Sequence, residues 1–189
     1  MSVRPARVED APQIARVHVD SWRSTYSEII PQDFLAAMSY EDFEARWRSW
    51  LGGELGRRET LCACVAETTA GRIIGFASGG PRQDESYRPE YESELYTAYL
   101  LREHQRRRLG RRLLGVVAGG LLADGKRSML TWVLAKNPSR AFYEAAGGKV
   151  LGSQNVHTDL RSHARRGGLR LERYPESRYF LITRVGGRA

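Results

Sequence analysis

At 189 residues, 41% of them hydrophobic, the chain is long enough to bury a sizeable core and suits a single domain over 1–189. Its 30 Lys and Arg against 22 Asp and Glu leave a net charge of +8, a field that serves a polyphosphate ligand as well as it serves nucleic acid. No apolar run approaches the roughly 18 residues that span a bilayer, and no signal-like segment opens the chain, so a cytoplasmic protein with no membrane partner is expected.

In chain order, Val3 to Val8 reads as a short edge strand interrupted by Pro5. Asp10 is the expected N-cap of a helix with Pro12 in its first turn, and Ala11, Ile14, Ala15, His18 and Trp22 fall on one face. His18 on that face reads as a packed core histidine, and Pro31 as the end of the unit. Ser39 with Asp42 makes a capping box ahead of Phe43, Trp47, Trp50 and Leu51 at helical spacing. By composition alone, Trp22, Tyr26, Trp47 and Trp50 are core and cover for a sheet.

Gly52 to Arg58 reads as a loop. Leu61 to Glu67 and Arg72 to Gly79, joined by Thr68–Gly71, read as an antiparallel hairpin, with Gly75 and Gly79-Gly80 marking a bulge or bend. Cys62 and Cys64, two apart on one strand, share a face; that spacing suits neither a disulfide nor zinc, and buried free thiols are expected. After a polar loop from Pro81 to Tyr91, Glu94 to Leu101 suits a buried strand. The arginine-loaded turn Gln105-Arg106-Arg107-Arg108-Leu109-Gly110-Arg111 then opens a helix carrying Leu109, Leu113, Val116, Val117 and Leu121, with Gly125 as its stop. A strand over Ser128 to Val133 completes a βαβ unit. Pro138-Ser139 opens a short helix closed by Gly147-Gly148. Lys149 to Asn155 is a strand, His157 to Pro175 an arginine-rich loop and Arg178 to Thr183 a final strand. No His, Cys, Asp or Glu set has metal-ligand spacing.

A polar turn between strand and helix suits an anion, since the first amides of a helix have no acceptor within it and the helix dipole is positive there. Gln105-Arg-Arg-Arg-Leu-Gly110 resembles the Gln/Arg-x-x-Gly-x-Gly/Ala pyrophosphate loop of the GCN5-related N-acetyltransferases. Asn137-Pro-Ser-Arg-Ala-Phe-Tyr143-Glu-Ala-Ala-Gly147 resembles that family's Asn…Phe-Tyr-Glu…Gly segment, and Val3-Arg-Pro-Ala with Glu9-Asp10-Ala11 its opening strand and helix. Arg108 departs from the pattern, standing where the family has its first glycine.

The resemblance implies an α/β (α+β) domain: a mixed, mostly antiparallel sheet of about six to seven strands with one splayed parallel pair, flanked by helices. It implies acetyl-CoA as cosubstrate and a small-molecule or peptide amine as acceptor, with no metal. Gln105, Arg106, Arg107, Arg108, Leu109, Gly110 and Arg111 would hold the pyrophosphate, backbone groups of Ala98 and Leu100 the pantetheine amides, and Asn137 the same arm or its neighbouring loop. Tyr143, by itself a core aromatic beside Phe142, becomes the expected general acid. Glu94, by itself a glutamate at a strand start, becomes the expected general base, with Glu67 and Glu92 as fallbacks. Trp22 and Tyr26 would wall the acceptor site. A non-catalytic acyl-CoA-binding or regulatory member of the fold is the alternative kept open by Arg108. A nucleic-acid module is not expected, for want of aromatics interleaved with the arginines. The acceptor's identity and the oligomeric state stay open, a homodimer through strand edges being common in such folds.

Overall fold

The computed structural model describes residues 1–53, 62–83, 90–134, 136–155 and 177–184. The chain forms two compact units, Met1–Met129 and Leu130–Thr183, taken here in turn.

The first unit opens with β1 (Ser2–Pro5), which pairs antiparallel with β2 (Cys62–Glu67) from Ser2↔Glu67 to Pro5↔Cys64. The strand stops at Pro5, short of the expected Val8, with one further bond to β2 from the Ala6 N–H to the Ala63 carbonyl at 3.0 Å. The chain then winds into a 3-10 turn at Val8–Asp10, where the Asp10 carboxylate accepts the Arg7 N–H at 2.8 Å. Asp10 does precede α1 (Ala11–Thr25), yet its side chain caps nothing there. Arg4 takes the carboxylate through two bonds of 2.7 and 2.9 Å, which holds Asp10 below the usual carboxylate range, and Arg4 Nε reaches Glu67 at 2.9 Å.

Ala11, Ile14, Ala15, His18 and Trp22 of α1 are buried, as their spacing predicts. The helix ends at Thr25, well before Pro31. Pro31 instead opens α2 (Gln32–Ala36), its carbonyl accepting from the Phe34 and Leu35 N–H groups. α3 (Tyr40–Leu51) begins where expected: Ser39 Oγ accepts the Asp42 N–H at 3.1 Å, a cap worth about 1 kcal/mol.

β2 and β3 (Ile73–Pro81) form the expected hairpin, with Gly71 at φ 76° in its turn, and β4 (Ser93–Leu100) adds antiparallel to β3. The strand β3 runs past the expected end at Gly79 and through Gly80. Gly79 is required by close approach: a Cβ there would sit 2.8 Å from Val117 Cγ1 and 2.8 Å from the Glu94 carbonyl oxygen. Val117 belongs to α4 (Leu109–Ala123), which buries Leu109, Leu113, Val117 and Leu121. Val116 is 40% exposed, contrary to expectation, and Leu114, on the other flank of that stripe, is buried instead.

α1 and α3 cover one face of the four strands, and α4 covers the other. On the first face the Phe76 ring, 1% exposed, meets His18 at 5.2 Å and Trp47 at 5.0 Å. A side chain of that size buried so fully contributes roughly 1.5–3 kcal/mol. On the second face Cys62 and Cys64 meet α4 together, as their spacing predicts. A Cβ on Gly120 would lie 2.6 Å from Cys62 Sγ, and Cys64 Sγ lies 3.5 Å from the Leu113 carbonyl. Both thiols are free, Cys64 buried and Cys62 half-buried; burial pushes the Cys64 thiol up to about 12.

The second unit takes in β5 (Ser128–Leu134) from Leu130 onward, α5 (Arg140–Ala145), β6 (Lys149–Asn155) and β7 (Ser177–Arg184) as far as Thr183. β7 lies between β5 and β6, pairing antiparallel with β6 from Lys149↔Ile182 to Asn155↔Ser177. Gly147, at φ 96°, ends α5, and the Gly148 N–H returns to the Tyr143 carbonyl at 2.9 Å. The loop expected over 157–175 lies outside the described residues.

Candidate functional site

β4 is set by its irregularity. Opposite β3 the register runs Ser78↔Thr97 and then Gly79↔Leu95, so Tyr96 is one residue in excess. The Leu101 N–H donates to the Ile74 carbonyl at 2.9 Å, which directs the backbone of Tyr99 toward β3 as well. By the alternation of a strand, the N–H and C=O groups of Ala98 and Leu100 point to the opposite edge. The bulge also lets two successive side chains face α3: Thr97 Oγ1 meets Ser78 Oγ at 2.8 Å, and the Tyr96 ring lies 6.4 Å from that of Trp50.

Glu94 stands at the head of this strand, 8% exposed, its Oε2 accepting the Gln83 N–H at 3.0 Å. Around it the strand heads are clamped: Ser93 Oγ donates to the Ser128 carbonyl at 2.7 Å and the Glu92 N–H donates to Ser128 Oγ at 3.1 Å. The two fallback carboxylates hold scaffold. Glu67 binds Arg4 and Ser2 at the β1 edge, and Glu92 Oε2 accepts the Arg127 N–H at 2.6 Å.

Beyond β4 a 3-10 turn at Arg102–His104 leads into Gln105, whose Nε2 donates to the Leu100 carbonyl at 3.0 Å. The side chain therefore ties the loop back to its strand. Arg106 and Arg108 both take left-handed backbone, at φ 61° and 62°, and they are the only non-glycine residues with positive φ among the described residues. Arginine in that region costs roughly 1–2 kcal/mol. The turn so made delivers the chain to the N-terminus of α4, where the Arg112 N–H makes a helical bond to the Arg108 carbonyl at 3.2 Å. The amides of Leu109 and Gly110 precede that bond, and the side chains of Arg106, Arg107, Arg108 and Arg111 are exposed around them. Amides ahead of a helix start, with guanidinium groups beside them, can hold a phosphate.

In the second unit, Asn137 is 8% exposed and its Oδ1 accepts the Ser139 N–H at 2.8 Å, shaping the entry to α5. Tyr143 is also 8% exposed, with the Phe142 ring edge-on at 5.1 Å.

On the α1 and α3 face of the first unit, Trp22 and Tyr26 stack edge-on at 5.2 Å, and Trp22 Nε1 donates to the Tyr99 hydroxyl at 2.7 Å. Both rings are buried, at 4% and 6% exposure. His18 is caged by Phe43, Phe76, Tyr99 and Trp47, and burial, aided by Arg46, lowers its pKa to about 3. That fits a packed core histidine. The sequence assigned no site role to Tyr96 or Gln83; Gly79-Gly80 marked the bulge, as the register shift between Ser78 and Gly79 bears out, but that Tyr96 is the residue in excess opposite it shows only once the strands are paired. Among the described residues no cluster of His, Cys, Asp or Glu could hold a metal, and no helix is long and apolar enough to cross a membrane.

The chain matches the model of the acetyltransferase (GNAT) family over residues 19–148. It is 43% identical over 155 residues to the uncharacterized N-acetyltransferase YuaI of Bacillus subtilis, covering 82% of this chain and 84% of that one. Its fold is similar to that of the PaiA N-acetyltransferase of Thermoplasma acidophilum, solved with coenzyme A, at a TM-score of 0.70 and 17% identity over 97% of this chain and 98% of the other. It is likewise similar to yncA of Salmonella typhimurium, solved with its cofactor acetyl-CoA, at a TM-score of 0.66 and 20% identity over 100% and 96% of the two chains. The mixed α/β fold is thus that of acetyltransferase structures, and the chain belongs to the acetyltransferase (GNAT) family.

Proposed function

We propose that the chain moves the acetyl group of acetyl-CoA to a primary amine of a small molecule or peptide by direct attack, acting as one catalytic domain over 1–189. The observation that carries this reading is the left-handed turn at Arg106 and Arg108, which opens α4 in a chain of the acetyltransferase family. The family model runs from the first unit into the second, which supports a single domain.

Acetyl-CoA supplies the acyl group as a thioester. The amides from Arg106 to Arg111 and the arginine side chains around them take the pyrophosphate, with Gln105 tying their loop to Leu100. The backbone of Ala98 and the N–H of Leu100, on the edge of β4 away from β3, pair with the amides of the arm while the Leu100 carbonyl accepts from Gln105, and Asn137 fixes the arm's neighbouring loop. Glu94, fixed by the Gln83 N–H, accepts the proton that the acceptor's ammonium must lose before its neutral amine attacks the thioester carbonyl. The Tyr143 phenol gives a proton to the leaving thiolate, a task suited to a group protonated at neutral pH. Trp22 and Tyr26 back the wall on the acceptor side, Trp22 by holding the Tyr99 hydroxyl.

Arg108 favours the non-catalytic alternative only if it diverts the loop. Its φ of 62° is one that glycine adopts readily, which supports a loop that still takes the pyrophosphate. The reading is tested by thiol release from acetyl-CoA with a panel of amines. Amine-dependent release that Glu94→Gln suppresses is expected, and no release above the amine-free rate with any member would overturn it.

A further inference from the structure

The aromatic side chains on the α1 and α3 face divide by exposure. Trp22, Tyr26 and Trp47 are 4%, 6% and 3% exposed, wholly used in packing, whereas Trp50 and Tyr96 are half-buried. A ring spent on the core cannot meet a ligand, and a half-exposed one can.

Both half-exposed rings are fixed. Trp50 stands edge-on to the buried Trp47 ring at 5.5 Å and 76°. The Tyr96 hydroxyl donates to the Pro81 carbonyl, pinning the far end of the bulge residue. Their planes meet at 56° with centroids 6.4 Å apart, so the two rings form one tilted aromatic pair that is half-exposed. Glu94 belongs to the same face: it lies opposite Gly80, two residues on from Ser78 and four from Phe76, which meets His18 and Trp47. Two half-exposed rings on the same sheet face as a buried carboxylate favour an ammonium on a hydrocarbon body, because ring quadrupole and carboxylate attract the same charge. They disfavour an acceptor that carries a carboxylate of its own, which would meet Glu94.

We infer that Trp50 and Tyr96, with Glu94 on the same face of the sheet, form the specificity subsite for the acceptor and select alkyl or arylalkyl primary amines lacking a carboxylate. This rests on the acetyl-transfer reading but is tested by binding, without turnover. With coenzyme A saturating, calorimetry compares 2-phenylethylamine with phenylalanine, which differ only in the carboxylate. The former is expected to bind about tenfold tighter or better. Trp50→Leu, which keeps apolar volume and removes the π face, should weaken 2-phenylethylamine by about five- to tenfold while leaving the acetyl-CoA-induced rise in Tm unchanged. Tyr96→Phe keeps the ring and should stay within about threefold of wild type. Phenylalanine binding as tightly as 2-phenylethylamine, no binding of either at millimolar concentration, or a folded Trp50→Leu of undiminished affinity overturns the subsite. Binding as expected without acetyl transfer to any amine would instead sink the transfer reading and leave the subsite standing.

Discussion

At Arg108 two opposed terms decide the effect of restoring glycine. The left-handed backbone costs arginine roughly 1–2 kcal/mol, while glycine adds about 0.4–1 kcal/mol of unfolded-state freedom. Arg108→Gly should therefore leave stability within about 1 kcal/mol and change the acetyl-CoA Kd by less than about tenfold. It should also flatten the salt dependence of binding, since the phosphate contact proposed for its guanidinium would be gone. A hundredfold gain in affinity, read by titration at two salt concentrations, would mean instead that Arg108 obstructs the loop. Tyr143→Phe keeps the ring and loses the proton donor, so kcat should fall by about 10²-fold with cofactor affinity nearly unchanged. Wild-type turnover would return Tyr143 to the core.

His18 makes a pH prediction whose sign is fixed by burial. Its folded pKa of about 3 lies below the usual 6.5, so between those values the unfolded chain takes a proton that the native one refuses. Stability should fall with falling pH through that window, by up to about 1.4 kcal/mol per unit. Urea unfolding of His18→Leu should show a shallower fall than wild type between pH 6.5 and 4.5. An unchanged slope would assign the acid sensitivity elsewhere.

At the scale of elements, glycines of one type behave in opposite ways according to what faces them. Gly79 lies where α4 crosses β3, and a Cβ would meet the Glu94 carbonyl and Val117 at 2.8 Å. Since a backbone atom must move, Gly79→Ala should cost about 1–3 kcal/mol and shift the residue proposed as base. Gly115 sits on the outer side of α4 with nothing within 4 Å of a Cβ, so Gly115→Ala should stabilise by about 0.5–1 kcal/mol. Thermal melts of the two variants check the contrast, and equal changes would contradict the packing of α4 on β3.

Across the molecule, what the sequence disclosed was periodic or local. The α1 face, the Ser39 cap, the hairpin around Gly71 and the Leu109–Leu121 stripe each rest on residues a few positions apart. The candidate loop was legible for the same reason, as Gln105 to Arg111 is one short run. The departures have tertiary causes. The Arg4–Asp10 pair overrode a local cap, and α2, at five residues, is too short to show a period. The excess of Tyr96 appears only in the pairing with β3, and Trp50 differs from Trp47 only in what covers it. The left-handed backbone at Arg106 is equally silent, since arginine carries no signal for it, whereas at Arg108 the one hint was the glycine that the resembled motif has there.

The central claim, that this fold uses acetyl-CoA, is tested most directly by a thermal shift at low salt. At about 100 times Kd the ligand should stabilise the protein by about 2.7 kcal/mol, a Tm rise of roughly 5–10 °C for a chain of this size. A melting curve left unmoved by millimolar acetyl-CoA would contradict the claim.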